Sequence, residues 1–94
     1  MNRKKLNHSD IENRLKELPG WKLQDGKLCR EFVFSDFIAA FRFMTAAALV
    51  AEKLNHHPDW SNVYNRVHIA LHTHDAGGVT DFDFALAEKL NALF

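Results

Sequence analysis

The feature that most constrains the fold of this chain is a long apolar pattern that runs from Asp36 to about Leu54. Its apolar residues recur with the period of an α-helix, and we expect one face to form the core: Phe37, Ile38, Phe41, Met44, Ala48 and Leu49. Ser35 is suited to cap the start of this helix, Asn55 suits its C-terminus, and Pro58 prevents it from restarting. The segment predicts one long helix against which the other elements pack.

The segments on both sides of this helix alternate apolar and polar residues, which is the pattern of half-buried β-strands. Before the helix, residues 21–24 and 28–34 flank Asp25-Gly26, a dipeptide typical of a two-residue hairpin turn. After it, residues 61–73 alternate in the same way, and we expect Asn65-Arg66 to form the turn that divides them into two strands. The sequence thus predicts one hairpin on each side of the helix.

Two shorter helices complete the pattern. The first follows Ser9, a candidate N-cap, ends at Pro19-Gly20, and has the apolar face Ile11, Leu15 and Leu18. The last follows Thr80 and has the apolar face Phe82, Leu86, Leu90 and Leu93. The order α-β-β-α-β-β-α predicts an α+β fold of two layers, a four-stranded antiparallel sheet with helices packed on one face. We expect a single domain over residues 1–94, with residues 1–7 disordered.

The charge balance of the chain argues against several classes of protein. Twelve basic and twelve acidic residues cancel, so the chain lacks the basic excess of nucleic-acid-binding proteins and is not attracted to anionic membranes. No apolar run approaches the ~20 residues that span a bilayer, and no signal peptide is evident. The single cysteine, Cys29, cannot form an internal disulfide, which fits a reducing compartment. We therefore expect a cytoplasmic protein.

Histidines are concentrated in one part of the sequence. Five of the six lie within nineteen positions, from His56 to His74. His56-His57-Pro58 follows the end of the long helix, and Glu52 lies one helical turn before it. Imidazole gives and takes protons near neutral pH, and a nearby carboxylate orients it or favours its charged form. This arrangement indicates an acid/base site, although a solvated turn would have the same residues.

A second histidine pair, His72 and His74, lies at the end of the last predicted strand, where alternation puts both on the same side. Such a pair can bind a metal or serve as acid/base groups. We expect His68 and His72 to lie on the solvated face of the sheet. His74 is the stronger candidate, because it adjoins the loop at Gly77-Gly78, and loops beside strand ends often hold functional residues.

Two further residues have both a structural and a functional interpretation. Asp83 lies three residues after Thr80, which is the spacing of a capping box. Trp60 follows the His-His-Pro turn and can either stack on a flat ligand or belong to the core.

These motifs together resemble the pterin-4a-carbinolamine dehydratase family, also known as the dimerization cofactor of a hepatocyte nuclear factor. The resemblance covers about residues 10–90 and is carried most specifically by Glu52, His56-His57-Pro58, Trp60, Tyr64, Thr73-His74 and Asp83. It implies a hydro-lyase, 4a-hydroxytetrahydrobiopterin dehydratase, which eliminates water from 4a-hydroxytetrahydropterin to give quinonoid dihydropterin. That reaction recycles the pterin cofactor of the aromatic amino acid hydroxylases.

The resemblance also implies roles for individual residues. His56 and His74 would form the acid/base pair, and His57 would hold the substrate near its 4a-hydroxyl. Three further residues match family positions with supporting roles. Glu52 would orient a histidine, Asp83 would support His74, and Trp60 would border the pocket. The family likeness implies no metal and no cofactor, and a homodimer or homotetramer. It also implies a possible partner, either a hydroxylase or a transcription factor.

Two rival interpretations stay open at this point. Neutral imidazoles bind zinc readily, so His72 and His74 with either His56 or His57 would suit a zinc hydrolase. The other rival is a non-catalytic interaction module of the transcriptional coactivator type. The sequence contains no Gly-rich phosphate loop and no G-x-S-x-G motif, so neither phosphate binding nor a serine nucleophile is indicated.

Overall fold

The computed structural model describes residues 1–94 and has the predicted order of elements. Its helices are α1 (His8–Leu15), α2 (Phe37–Leu54) and α3 (Asp81–Leu93). Its strands are β1 (Lys22–Gln24), β2 (Lys27–Val33), β3 (Asp59–Val63) and β4 (Arg66–Leu71), and a single 3₁₀ turn covers His74–Ala76. The strands form one antiparallel sheet in the order β1-β2-β4-β3, so β2 and β4 are central. The predicted α+β architecture is confirmed.

The sheet has one buried and one solvated face, because side chains alternate along each strand. The central strands turn five fully buried side chains toward the helices: Leu28, Phe32, Val67, Ile69 and Leu71. From α3 come Phe84, Leu86, Ala87 and Leu90, all nearly or fully buried. The opposite face carries exposed side chains such as Arg66 and His68, as predicted for this pattern. No helix in the structure combines the length and apolarity needed to cross a membrane.

The two hairpin turns differ in how well the sequence predicted them. Asp25 and Gly26 both have positive φ angles, 53° and 76°, as an Asp-Gly hairpin turn requires. The second turn lies one residue earlier than predicted, at Tyr64-Asn65, with Tyr64 at a φ of 51°. The side-chain amide of Asn62 donates to the carbonyl of Tyr64 at 3.1 Å, and this bond stabilises a conformation that is unfavourable for tyrosine.

Two helix starts also differ from prediction. Asn7, rather than Ser9, caps α1, and Asp36, rather than Ser35, caps α2. Each side chain accepts a hydrogen bond of 2.8 Å from the backbone N–H of the residue three positions later. Asn and Asp cap helices as well as Ser does, so the residue type alone does not select among neighbouring candidates. The predicted cap at Thr80 is confirmed, and it includes a complete capping box.

The buried face of α2 is not the face expected from the sequence. The side chains that are fully or nearly buried are Ala40, Phe43, Ala47 and Ala51. Four residues of the predicted core face are instead 48–70 % exposed: Phe37, Ile38, Phe41 and Leu49. The helix is apolar on nearly all sides, and the alanine face allows the closest approach to the sheet and to α3. The expectation was therefore wrong, and a broad apolar surface is left on the outside of α2.

Candidate active site

The central helix α2 ends at Asn55, whose φ of 54° and ψ of 42° are left-handed. Asparagine tolerates this conformation better than most residues, which suits it to a helix C-terminus. The next residue, His56, donates its backbone N–H to the carbonyl of Ala51 at 3.0 Å. The chain thus leaves the helix in a tight reversal, which buries His56 and leaves His57 exposed.

His56 forms a buried pair with Asp83 at the start of α3. Its side chain is 8 % exposed, that of Asp83 is fully buried, and 2.5 Å separates His56 Nε2 from Asp83 Oδ1. The second carboxylate oxygen, Oδ2, accepts from the Thr73 hydroxyl at 2.9 Å and from the Thr80 backbone N–H at 2.8 Å. A buried carboxylate is tolerated only when it is hydrogen-bonded in this way.

The bond to Asp83 sets the tautomer of His56. A carboxylate only accepts hydrogen bonds, so Nε2 carries a hydrogen, and Nδ1 is the acceptor in the neutral ring. Nδ1 makes no hydrogen bond within the protein, and no buried side-chain nitrogen or oxygen lacks a partner, so Nδ1 reaches the surface. The resemblance implied that Asp83 supports His74, but the carboxylate, in the first turn of α3, contacts His56 instead.

The second histidine of the turn, His57, is paired with Glu52 of α2. Its Nε2 lies 2.8 Å from Glu52 Oε1, and the two side chains are 59 % and 79 % exposed. The expectation that Glu52 lies beside a histidine is met by His57. A contact this exposed contributes little free energy, and its effect is to orient the ring.

The end of β4 supplies two more imidazoles. The strand ends at Leu71, and His74 begins a 3₁₀ turn, which is closed by the Ala76 N–H donating to the Thr73 carbonyl at 3.1 Å. His72 is half-buried, and its ring centroid lies 6.4 Å from that of His74. His72 was expected on the solvated face of the sheet. It lies in the wall of a pocket instead, since the regular strand has already ended before this residue.

Four of the six histidines meet in this pocket, an open concavity of about 230 Å³. Its lining residues are all polar: Arg3, Asn55, His56, His57, His72, Thr73, His74 and Asp75. A larger concavity of about 530 Å³ lies beside residues 5–8, but its only titratable side chains are those of Lys5 and His8. The histidine pocket is therefore the candidate active site, because only there does a buried carboxylate hold an imidazole whose free nitrogen reaches solvent.

Trp60 does not join this pocket. It lies opposite Ile69 in the β3–β4 pairing and packs, half-buried, against the hydrophobic core. The expectation that it borders the site is therefore not supported by its position. In its place the structure brings Arg3 to the pocket, a residue for which the sequence offered no signal because it precedes every regular element.

The zinc site considered from the sequence is not assembled. No group of three or more His, Cys, Asp or Glu side chains is placed to hold a metal ion. His56 already uses Nε2 to bind Asp83, and His57 uses Nε2 to bind Glu52. The arrangement is suited to moving protons rather than to ligating a cation.

Comparisons with known proteins show similarity to one family over nearly the whole chain. Residues 4–93 match the family model described as Pterin 4 alpha carbinolamine dehydratase. A protein of Solibacter usitatus that is named for this dehydratase is 60 % identical over 89 residues, which cover 95 % of this chain and 94 % of the relative. A Chelativorans protein of the same name is 55 % identical over 94 residues, which cover 98 % and 96 % of the two chains.

A solved structure is also similar to this chain along almost its whole length. It is a crystal structure from Brucella melitensis, described as a transcriptional coactivator/pterin dehydratase. The two share 48 % sequence identity with a TM-score of 0.92, and the match covers 96 % of this chain and 98 % of the other.

Proposed function

The chain belongs to the pterin-4a-carbinolamine dehydratase family, and we propose that it dehydrates 4a-hydroxytetrahydrobiopterin to quinonoid dihydropterin. The observation that carries this proposal is the buried His56–Asp83 pair, whose imidazole lines an open pocket together with His57 and His74. The reaction breaks the bond between C4a and its hydroxyl oxygen and removes a proton from a ring nitrogen. It needs one acid and one base.

His56 is the base in this mechanism. Asp83 keeps the hydrogen on Nε2, so Nδ1 accepts the proton from the pterin ring nitrogen, and the carboxylate stabilises the imidazolium that forms. His74, which lines the same pocket, protonates the departing hydroxyl, and His57, oriented by Glu52, binds the substrate beside that hydroxyl. Each positioned acid or base contributes about 10²–10⁴-fold to such a rate. Neither step requires a metal or an organic cofactor.

The direct test is the dehydration rate of synthetic 4a-hydroxytetrahydropterin with and without the purified protein. We expect His74→Ala to lower kcat by about 10²-fold or more, since the acid is lost. His8→Ala is the matched control, because His8 lies outside the histidine pocket and should leave the rate unchanged. A His74→Ala variant with full activity would contradict the assignment.

The cellular role follows from the reaction. The product is the oxidised form that a reductase returns to the tetrahydropterin, so the enzyme recycles the cofactor of aromatic amino acid hydroxylases in the cytoplasm. Such a hydroxylase is the source of the substrate in this proposal.

The assembly is a homodimer or homotetramer formed through α2. Phe37, Ile38, Phe41 and Leu49 form an apolar stripe, and contiguous exposed surface of this kind marks interaction sites on proteins. A second copy offers the same stripe, which allows two helices to pack against each other around a twofold axis.

A non-catalytic role is the second candidate function. The Brucella protein is described as a transcriptional coactivator as well as a dehydratase, and the apolar stripe of α2 would suit a protein partner. The His74→Ala variant separates the two functions, because a pure interaction module has no dehydratase activity to lose.

A further inference from the structure

The segment before α1 lies against the candidate active site. Leu6 donates its backbone N–H to the Val79 carbonyl at 2.8 Å, and its side chain packs against the core. The stem of Lys5 crosses Gly78 so closely that a Cβ added to Gly78 would lie 2.8 Å from Lys5 Cε. These contacts attach the segment to the loop that follows His74 and bring the residues before it to the pocket.

Arg3 is the residue of this segment that reaches the pocket. Its guanidinium carbon lies 4.2 Å from the centroid of the Phe82 ring, within the range of a cation–π interaction. The Phe82 ring centroid is in turn 5.8 Å from that of His56. Phe82 thus provides a platform that holds Arg3 on the same side of the site as the proposed base.

The guanidinium of Arg3 is free to bind a ligand. Its planar group carries five N–H donors, and none of them forms a hydrogen bond or an ion pair within the protein. The other cationic groups of the pocket are imidazoles, whose charge depends on pH, whereas arginine is always charged. Arg3 is therefore the one permanent cation in the pocket wall.

We propose that Arg3 is a substrate-binding residue, whose guanidinium donates to the carbonyl oxygen of the pterin's pyrimidine ring. This contact orients the flat heterocycle so that C4a lies between His56 and His74. The inference rests on the proposed function, since it names a further residue for the same substrate. It also gives the segment before α1 a role in binding.

The test is a comparison of Arg3→Ala with wild type in the dehydratase assay. The contact is made in the ground state and in the transition state alike, so its loss raises KM and leaves kcat nearly unchanged. We expect KM to rise roughly 10- to 100-fold, the effect of losing a hydrogen bond to a charged group. Arg3→Lys keeps the positive charge but loses the planar guanidinium. Its KM should lie between those of wild type and Arg3→Ala.

Lys4→Ala is the matched control. It removes one positive charge from the adjacent residue, which does not line the pocket. An equal rise in KM for Lys4→Ala and Arg3→Ala would mean that the effect is long-range electrostatics, and would overturn the proposal. An unchanged KM in Arg3→Ala would overturn it as well.

A binding measurement separates this inference from the proposed reaction. Calorimetric titration with a stable dihydropterin does not depend on turnover, and Arg3→Ala should weaken binding by the same factor. If wild type shows no dehydratase activity but Arg3→Ala still weakens binding, the reaction is wrong and the contact stands. If wild type is active and Arg3→Ala binds and reacts normally, only the role of Arg3 is wrong.

Discussion

Asp83 has two structural tasks at once. Through Oδ2 it caps α3 and accepts from Thr73, and through Oδ1 it holds His56. The capping-box spacing with Thr80 predicted the first task from the sequence. The second couples the start of a helix to the proposed base, so a change at this carboxylate should affect both stability and catalysis.

We predict that Asp83→Asn lowers kcat by about 10²–10⁴-fold, because the base is lost. An asparagine amide can donate to Nε2 of His56, which would move the ring hydrogen to Nδ1 and leave no acceptor for the substrate proton. The cap is weakened as well, and about 1 kcal/mol of unfolding free energy should be lost. Steady-state kinetics and urea denaturation measure the two effects.

The control for this change is Asp81→Asn, two residues earlier in α3. The carboxylate of Asp81 binds Arg14 at 2.6 Å and does not line the histidine pocket. This variant should keep its kcat. An Asp83→Asn protein with wild-type kcat would show that the tautomer of His56 does not matter for the reaction.

At the scale of elements, α2 shows where periodicity alone is insufficient. The helix has apolar side chains around most of its circumference, so the pattern predicts a helix without selecting the face that packs. Ala40, Ala47 and Ala51 form the buried face, where small side chains let the helix approach its neighbours closely. The larger side chains are left outside, which is the basis for the proposed assembly.

We predict that Phe41→Glu converts the oligomer to a monomer without unfolding it. Phe41 is 55 % exposed in the isolated chain, so the charge is solvated in the monomer but would be buried between two copies of α2. Light scattering coupled to size exclusion measures the mass, and circular dichroism checks the fold. The matched control is Arg42→Glu, which makes a larger change of charge at the next exposed residue, off the stripe. A monomeric wild type would refute the assembly.

At the scale of the whole molecule, the sheet carries one buried acidic group outside the site. Cys29 of β2 is 6 % exposed on the face away from the helices, and burial raises the pKa of its thiol above its ordinary value. In the unfolded chain the pKa of this thiol is close to the ordinary value for cysteine. The folded state therefore retains the proton more tightly, and the free energy of unfolding should fall as pH rises above about 9.

Urea denaturation at pH 7 and pH 10 tests this prediction. Wild type should lose more stability between the two values than Cys29→Ala, which has no thiol to ionise. Equal losses in the two proteins would mean that ionisation of Cys29 is not linked to unfolding.

Features that depend on local chemistry could be predicted from the amino-acid sequence. The Asp25-Gly26 turn, the Thr80 cap and the left-handed end of α2 at Asn55 each depend on residues a few positions apart, so their patterns predicted them. Resemblance to a family added His56, His57 and His74 as one site. The turn at Tyr64 was missed by one residue, since its stability depends on a side-chain amide and not on the turn residues alone.

Contacts between residues far apart in the sequence could not be predicted in this way. Packing pairs Asp83 with His56 rather than His74, places Trp60 against the core, puts His72 in the pocket wall and brings Arg3 to the pocket. Spacing along the chain cannot reveal these contacts, because they depend on how helices and sheet pack and on which face each element buries. That packing is set by the shapes and volumes of many side chains acting together.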